Sequence, residues 1–229
     1  MGGWPGHAGA SPPAGPYVGV ASRGLVAYKW QVPDRWTTAD VPRGTEYDAR
    51  FERLAASGVH VHGEADLVEG LARDHGIPAG RVLDAGCGTR RVAIELARRG
   101  WSTVGADIDP AMLEAARAKA PELSWVLGDL ADPALEVGDG FDVVVMAGNV
   151  MIFVAPGTEA GVVANLTRRL RPGGLLVTGF AIRDGGLDAA TFARLASAAG
   201  LETAGAWSTW DRAPAAPGDG YTVQAYRRP

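Results

Sequence analysis

Apolar positions follow two spacings along most of the chain. In residues 64–75 they recur every three or four residues, at Leu67, Val68 and Leu71, and Gly76 ends this run. That spacing is typical of an amphipathic helix. Farther on, short apolar runs alternate with further helical patterns. The runs predict strands over 81–84, 102–107, 123–127, 141–147 and 174–182, and the helical patterns predict helices over 91–99, 110–120, 159–170 and 187–199.

Alternating strands and helices predict an α/β fold with a doubly wound, mostly parallel sheet covered on both faces. Two last strand candidates, over 202–210 and 220–227, follow each other without a helix between them. They predict an antiparallel hairpin at one edge of the sheet. One more helix is predicted over 47–56, where Phe51 and Leu54 share a face.

The first 45 residues have a different composition. Residues 1–16 are rich in glycine and proline, have too little apolar surface to offset chain entropy, and are expected to be disordered. Residues 17–45 are ambiguous and could form a short strand or a docking strip. The main domain is predicted over 46–229. The chain has 32 glycines and 15 prolines, and many of those outside the tail lie at the predicted strand–helix junctions.

Charge and cysteine content narrow the classes of function. The formal net charge is −4, and the basic residues are arginines apart from Lys29 and Lys119. This balance argues against a nucleic-acid-coating or membrane-surface protein. A single cysteine, Cys87, excludes an internal disulfide framework and is consistent with a reducing cytoplasm. The sequence has no run of about 20 apolar residues and no signal-peptide pattern, so a cytoplasmic location is expected.

A glycine-rich turn follows the first strand of the predicted sheet. The strand carries a carboxylate, Asp84, and Gly86 and Gly88 then lead into a helix. Glycine lets the backbone turn tightly and approach a ligand closely, and the ligand then meets free N–H groups at the helix N-terminus. Tight strand–helix turns also need glycine for steric reasons, so this loop alone leaves both readings open.

Acidic residues also follow the second and third strands. Asp107 ends the second strand, and Asp129 follows the third. Ligands of open α/β sheets bind at the carboxyl ends of the strands, so Asp84, Asp107 and Asp129 are expected to converge on one crevice. Asp107 or Asp109 could instead cap the helix that starts at Pro110. Asp109 is the better cap, which leaves Asp107 for a ribose diol.

Five segments carry a combined signal in their order and spacing. They are V-L-D-A-G-C-G-T (82–89), V-G-A-D-I-D-P-A-M-L (104–113), G-D-L (128–130), F-D-V-V-V-M-A-G-N (141–149) and L-R-P-G-G-L-L-V (170–177). Together they resemble class I S-adenosylmethionine-dependent methyltransferases, over about residues 45–229. The resemblance implies a seven-stranded sheet whose last two strands form the edge hairpin. It also implies S-adenosylmethionine as cofactor and an acceptor atom that attacks the sulfonium methyl in line.

The resemblance assigns roles residue by residue. It places Gly86 and Gly88 under the methionine part of the cofactor, Asp84 near its amino group and Asp107 at the ribose hydroxyls. Asp129 would accept from the adenine amino group. The full set of implied cofactor residues is Asp84, Gly86, Gly88, Asp107, Ile108, Asp129, Leu130, Ala147 and Asn149.

The acceptor site is less well specified. The resemblance implies that Ala147 to Asn149 face the methyl group, and that the helical segment 46–78 lies over the cofactor as a lid. His62, Tyr47 and Asn149 are weak candidates for a catalytic role, the first two as bases for a hydroxyl or carbon acceptor. The acidic balance favours a small-molecule acceptor, with a protein or peptide side chain as the alternative, and the protein is expected to be a monomer or homodimer without nucleic-acid or membrane partners.

One position departs from the family pattern D-x-G-x-G-x-G, since its third glycine falls at Arg90. The side chain could turn to solvent, pair with the cofactor carboxylate or block the pocket, and a positive φ would strain an arginine. An impaired enzyme, or a catalytically silent binding module, is therefore an alternative. A dinucleotide-dependent oxidoreductase is the other rival, but its G-x-G-x-x-G would need glycine where Arg91 stands.

The remaining candidates have structural interpretations. His60 and His62 would face opposite sides of a strand, so no metal site is predicted. His62 could line the cleft or make a structural hydrogen bond, and Cys87 is interpreted as a small filler in the turn. Phe153, Trp207 and Trp210 could wall an apolar substrate pocket or belong to the core, with the core favoured for at least one tryptophan.

Overall fold

The computed structural model describes residues 36, 53, 56–58, 60–183 and 185–229. Its helices are α1 (Gly63–Asp74), α2 (Arg91–Arg98), α3 (Pro110–Lys119), α4 (Val150–Phe153), α5 (Glu159–Arg169) and α6 (Ala189–Ala198). Its strands are β1 (Arg81–Ala85), β2 (Ser102–Asp107), β3 (Ser124–Leu127), β4 (Phe141–Met146), β5 (Leu170–Ala181), β6 (Glu202–Trp207) and β7 (Tyr221–Arg227).

The seven strands form one sheet in the order β3-β2-β1-β4-β5-β7-β6. Neighbouring strands from β3 through β5 are parallel, whereas β7 lies antiparallel to both β5 and β6. The predicted α/β class, the mostly parallel sheet and the antiparallel pair at one edge are therefore confirmed. The order reverses between β1 and β4, which places a crevice at their carboxyl ends.

Successive residues of the central strands enter different cores. Val143 and Val145 pack in a cluster with apolar residues of α1 and α2, while Val144 and Met146 pack in a cluster with residues of α5 and α6. All four are fully buried. Burial on both faces explains why β4 is apolar at every position except Asp142, rather than alternating.

Predicted and observed element bounds differ mainly around β5. The prediction starts this strand at 174, but the chain enters it directly from α5 at Leu170. Leu170 pairs with Phe141, and the register then shifts before Leu175 pairs with Val143. Gly173, with φ +80°, lies within that irregularity. The four-residue helix α4 was not predicted, because a single turn is too short to show helical periodicity.

Several predictions lie outside the described residues. They are the disordered tail over 1–16, the extension over 17–45 apart from Trp36, Tyr47, and most of the helix over 47–56. The lid over 46–78 is described only in part, chiefly as α1. Within the described part of the chain, no helix is long and apolar enough to cross a membrane.

Candidate functional site

The glycine loop is fastened to β2 and packed against α4. The backbone N–H groups of Gly86 and Cys87 both donate to the carbonyl oxygen of Ala106, at 2.8 and 3.0 Å. Gly86 has φ +80°, and a Cβ there would lie 2.5 Å from a methyl carbon of Val150. Both its conformation and its contact with α4 therefore require glycine.

The second glycine leaves open space beside the loop. Gly88 has φ +52°, and no atom lies within 4 Å of the position that a Cβ would take. Its N–H donates to Oδ2 of Asp107 at 2.7 Å. The loop thus presents bare backbone at the carboxyl ends of β1 and β2, where a ligand can approach closely.

Asp107 is almost buried, with 8% of its surface exposed. Besides Gly88, the N–H of Asp109 donates to its Oδ1 at 2.9 Å. Burial raises the pKa of this carboxyl, and the backbone donors oppose that shift. A carboxylate has about four acceptor positions, so capacity remains for a ligand hydroxyl.

Asp84 is the most deeply buried acid of the site, at 1% exposed. Its Oδ2 accepts from the N–H of Ala93 in α2 at 3.0 Å. Burial raises its pKa to about 7; this hydrogen bond and the Arg91 charge act in the opposite direction, while Asp107 adds to the rise. A ligand ammonium beside Asp84 would lower that pKa and be held in return.

Asp129 lies at the exposed side of the site and accepts from the N–H of Ala131 at 2.8 Å. Leu130 beside it is buried. Asp109 caps α3, since its side chain accepts from the N–H of Ala111. The predicted cap at Asp109 is confirmed, and Asp107 lies in the cavity wall.

One cavity brings together most of the residues implied by the resemblance. Asn149 is the exception: its Oδ1 accepts from the N–H of Ala181 at 2.7 Å, and its own N–H donates to Gly179. Asn149 (φ +72°) therefore ties the turn after β4 to β5 and does not appear in the cavity wall. The described lining residues are Trp36, Asp84, Gly86, Cys87, Gly88, Arg91, Val92, Asp107, Ile108, Met112, Asp129, Leu130, Ala147, Gly148, Val150, Phe153, Val154 and Ala155.

Arg90 takes none of the three placements considered from the sequence. It is only 6% exposed, and its guanidinium donates to the carbonyl oxygen of Ala115 in α3 at 2.9 Å. It is not among the described residues that line the cavity. The backbone does have the expected strained conformation, with φ +86°.

This geometry predicts opposing effects of substitutions at Arg90 on stability. Arg90→Gly relieves the left-handed backbone strain, about 1–2 kcal/mol, but loses a charged hydrogen bond worth about 1.5–3 kcal/mol. Arg90→Ala loses the bond and keeps the strain. We expect urea unfolding to show Arg90→Ala less stable than Arg90→Gly by about 1 kcal/mol. Equal stability of the two variants would show that the left-handed backbone at position 90 is not strained by a side chain.

The remaining candidates lie beside the cavity or lack reactivity. His60 and His62 lie in an irregular segment before α1, and His62 directly precedes that helix. His62 Nδ1 is 3.8 Å from a carboxylate oxygen of Glu95, and His62 is not among the described lining residues. No cluster able to hold a metal occurs among the described residues. Cys87 lines the cavity, but burial raises the pKa of its thiol well above the usual value, which disfavours a nucleophilic role.

Several lining residues were missed from the sequence, and two of them, Arg91 and Trp36, make polar contacts. Arg91 binds both carboxylate oxygens of Glu64 and the carbonyl of Val61, and so joins α2 to the start of α1. Trp36 donates its indole N–H to Asp109 Oδ2 at 2.9 Å and lies edge-on to Phe153. Both roles depend on partners that are distant in sequence.

The aromatic residues 207 and 210 are partly buried and pack on the core rather than on the cavity. Trp207 and Trp210 pack against the cluster on the α1 face, and the indole N–H of Trp210 donates to the Tyr221 hydroxyl at 3.1 Å. Phe153 alone of the three predicted wall candidates lines the cavity in the described part of the chain.

Comparisons with known proteins agree with this architecture. A family model described as "Methyltransferase domain" matches residues 82–174. The crystal structure of a TehB-like S-adenosylmethionine-dependent methyltransferase from Corynebacterium glutamicum is 33% identical, with a TM-score of 0.73, over 81% of this chain and 98% of that one.

Two curated relatives match over shorter stretches. Magnesium-protoporphyrin O-methyltransferase from Rhodobacter capsulatus is 42% identical over 81 residues, which are 33% of this chain and 35% of the relative. Glycine N-methyltransferase from Rattus norvegicus is 35% identical over 124 residues, 47% of this chain and 42% of the relative. The chain thus spans less than half the length of either. The sequence is 33% identical to the Corynebacterium protein over 98% of that protein's length, and the sheet matches. The chain therefore belongs to the class I S-adenosylmethionine-dependent methyltransferase family.

Proposed function

We propose that this protein transfers a methyl group from S-adenosylmethionine to a small-molecule acceptor. One observation carries the proposal: a single cavity joins the open glycine loop to three carboxylates, Asp84, Asp107 and Asp129. S-adenosylmethionine, when bound, supplies a sulfonium methyl that an acceptor lone pair takes as the carbon–sulfur bond breaks, with S-adenosylhomocysteine and a proton as the other products.

The residues present fit this cofactor. Asp107 would accept from the ribose hydroxyls, and the bare backbone at Gly88 would let the methionine part approach. Asp84 would hold the ammonium group, whose positive charge would stabilise the ionised form of a buried carboxyl with a pKa raised to about 7. Asp129 at the mouth would accept from the adenine amino group, while Ile108 and Leu130 offer apolar contact to the base.

The chain's own contribution to catalysis would be positioning and exclusion of water. Ala147 and Gly148 follow β4 in the cavity wall, and small residues there leave room for the acceptor. His62 is not among the described lining residues, so a base from that side is not part of the proposal. Holding two reactants in line supplies a large part of the rate acceleration when the donor is intrinsically reactive.

Calorimetric titration with S-adenosylmethionine tests the proposal. We expect the native chain to bind it, and Arg90→Gly to bind within about threefold, because the Arg90 side chain contacts α3 and not the described cavity wall. Leu127→Ala serves as the control, since Leu127 is 54% exposed and lies outside that wall.

Three other outcomes separate the alternatives. Binding by Arg90→Gly alone would make the native chain an impaired variant. No binding by either folded protein would overturn the proposed function. Binding without methyl transfer to any acceptor in a broad screen would favour the silent binding module.

A further inference from the structure

We infer that Trp36 and Phe153 form the binding wall for an uncharged, planar, apolar part of the methyl acceptor. The inference rests on the proposed function and specifies its substrate class. The centroids of the two rings are 5.2 Å apart, and their planes meet at 84°. Such an edge-to-face pair forms an apolar corner in which a flat group can contact one ring face and one ring edge.

The corner bridges the two sides of the crevice. Trp36 is anchored on the β2 side by its indole N–H bond to Asp109, which directly follows the residues Asp107 and Ile108. Phe153 lies on the β4 side, at the end of α4. Trp36 therefore contacts both sides of the crevice, and its position can select which acceptors bind beside the cofactor.

Helix α4 places this aromatic corner close to the glycine loop. Val150, at the start of α4, fills the space beside Gly86, and Phe153 follows one turn later. Both residues line the same cavity as Ala147 and Gly148. The aromatic corner therefore shares the cavity with the positions where the methyl group is expected.

The chemistry of the described wall argues against an anionic acceptor. The described residues on the α4 side of the cavity are uncharged: Ala147, Gly148, Val150, Phe153, Val154 and Ala155. The charged residues in the described wall are three acids and Arg91, and the Arg91 guanidinium is engaged by Glu64. Among these described residues an anionic acceptor would meet carboxylates of like charge, and burying it beside them would be costly.

A matched series of three probes tests charge and planarity separately. They are 2-naphthol (planar and neutral), 2-naphthoate (planar and anionic) and decahydro-2-naphthol (neutral and not planar). Each is titrated into the full chain loaded with S-adenosylhomocysteine, and its dissociation constant is measured by NMR. We expect 2-naphthol to bind about tenfold more tightly than 2-naphthoate and severalfold more tightly than decahydro-2-naphthol.

Variants of Trp36 and Phe153 test whether the aromatic corner causes the preference for a planar, neutral probe. Trp36→Leu and Phe153→Leu keep apolar bulk but remove a flat ring, and each should weaken 2-naphthol binding about tenfold. Trp36→Phe keeps a ring and should stay within about threefold. Trp207→Leu, in the core of the α1 face, is the control and should leave probe binding unchanged. Circular dichroism confirms that each variant is folded.

The outcomes distinguish this inference from the proposed function. Failure of the native chain to bind S-adenosylhomocysteine would overturn the proposed function itself. If the native chain is loaded, 2-naphthoate binding as tightly as 2-naphthol would overturn the inference alone, a result that needs no variant. Unchanged 2-naphthol binding by both leucine variants would do the same. A tenfold weaker affinity of Trp36→Leu for S-adenosylhomocysteine would also overturn the inference, since Trp36 would then belong to the cofactor site.

Discussion

Asp84→Asn is expected to raise the melting temperature of the ligand-free protein while it abolishes cofactor binding. The pKa of Asp84 is about 7 in the folded protein, against about 4 in an unfolded chain. Between those values the folded state binds more protons, so stability falls as the pH rises from about 4 to 7. Above pH 7 the buried charge costs up to about 4 kcal/mol.

Asparagine removes this cost, because it does not ionise and its carbonyl oxygen can still accept from Ala93. The gain in melting temperature should therefore be large at pH 8 and shrink toward pH 4. Thermal unfolding at several pH values measures it. Asp129→Asn is the control, because that side chain is exposed and its substitution should leave the stability profile unchanged. A gain independent of pH would show that ionisation of Asp84 is not the cause.

Cofactor binding should respond to the same substitution in the opposite direction. The ammonium group would lose its ionised partner in a buried site, and we expect at least a hundredfold weaker binding. In the native protein the affinity for S-adenosylmethionine should fall below pH 7, as Asp84 takes up a proton. Calorimetry at pH 6 and pH 8 checks this, and Asp84→Asn should show no such difference.

Asp107→Ala is expected to have the second large effect, on both the loop and the ligand. The N–H groups of Gly88 and Asp109 would lose their acceptor, at about 1–3 kcal/mol for each buried donor left unpaired. The ribose hydroxyls would lose theirs too, and affinity for S-adenosylmethionine should drop at least a hundredfold. Urea unfolding and calorimetric titration measure the two losses.

A remote carboxylate provides the matched control. Asp188 caps α6 by accepting from the N–H of Thr191, and it is not among the described residues of the cavity wall. Asp188→Ala should lower stability by about 1 kcal/mol and leave cofactor affinity unchanged. If Asp107→Ala binds the cofactor as tightly as the native protein does, Asp107 does not bind the ribose hydroxyls.

Much of the sheet could be predicted because its strands are buried on both faces. The nearly continuous apolar run over 141–147 indicated a buried strand, and β4 occupies it with Val143 and Val144 on opposite faces. The acids at strand ends could also be placed, since parallel strands bring their carboxyl ends to one edge. These inferences needed only the local pattern and one general rule of topology.

What could not be predicted depends on tertiary contacts. The direction of Arg90 follows from its φ of +86° and from the carbonyl of Ala115, 25 residues away. Asn149 was expected to face the acceptor, but the end of β5 supplies an N–H for its side chain. Trp36 stood in an ambiguous segment without periodicity, and it contacts Asp109 at the start of α3 and Phe153 at the end of α4, which are both distant in sequence.

The position of β7 has a consequence for the order in which the sheet can assemble. β7 comes last among the strands in chain order, yet it lies between β5 and β6. During synthesis β6 therefore emerges before the strand that must separate it from β5, and the outer side of β5 stays unpaired until residues 221–227 follow. Until then that edge can pair with other chains, so a nascent protein stalled before β7 should be more prone to aggregation than the finished one.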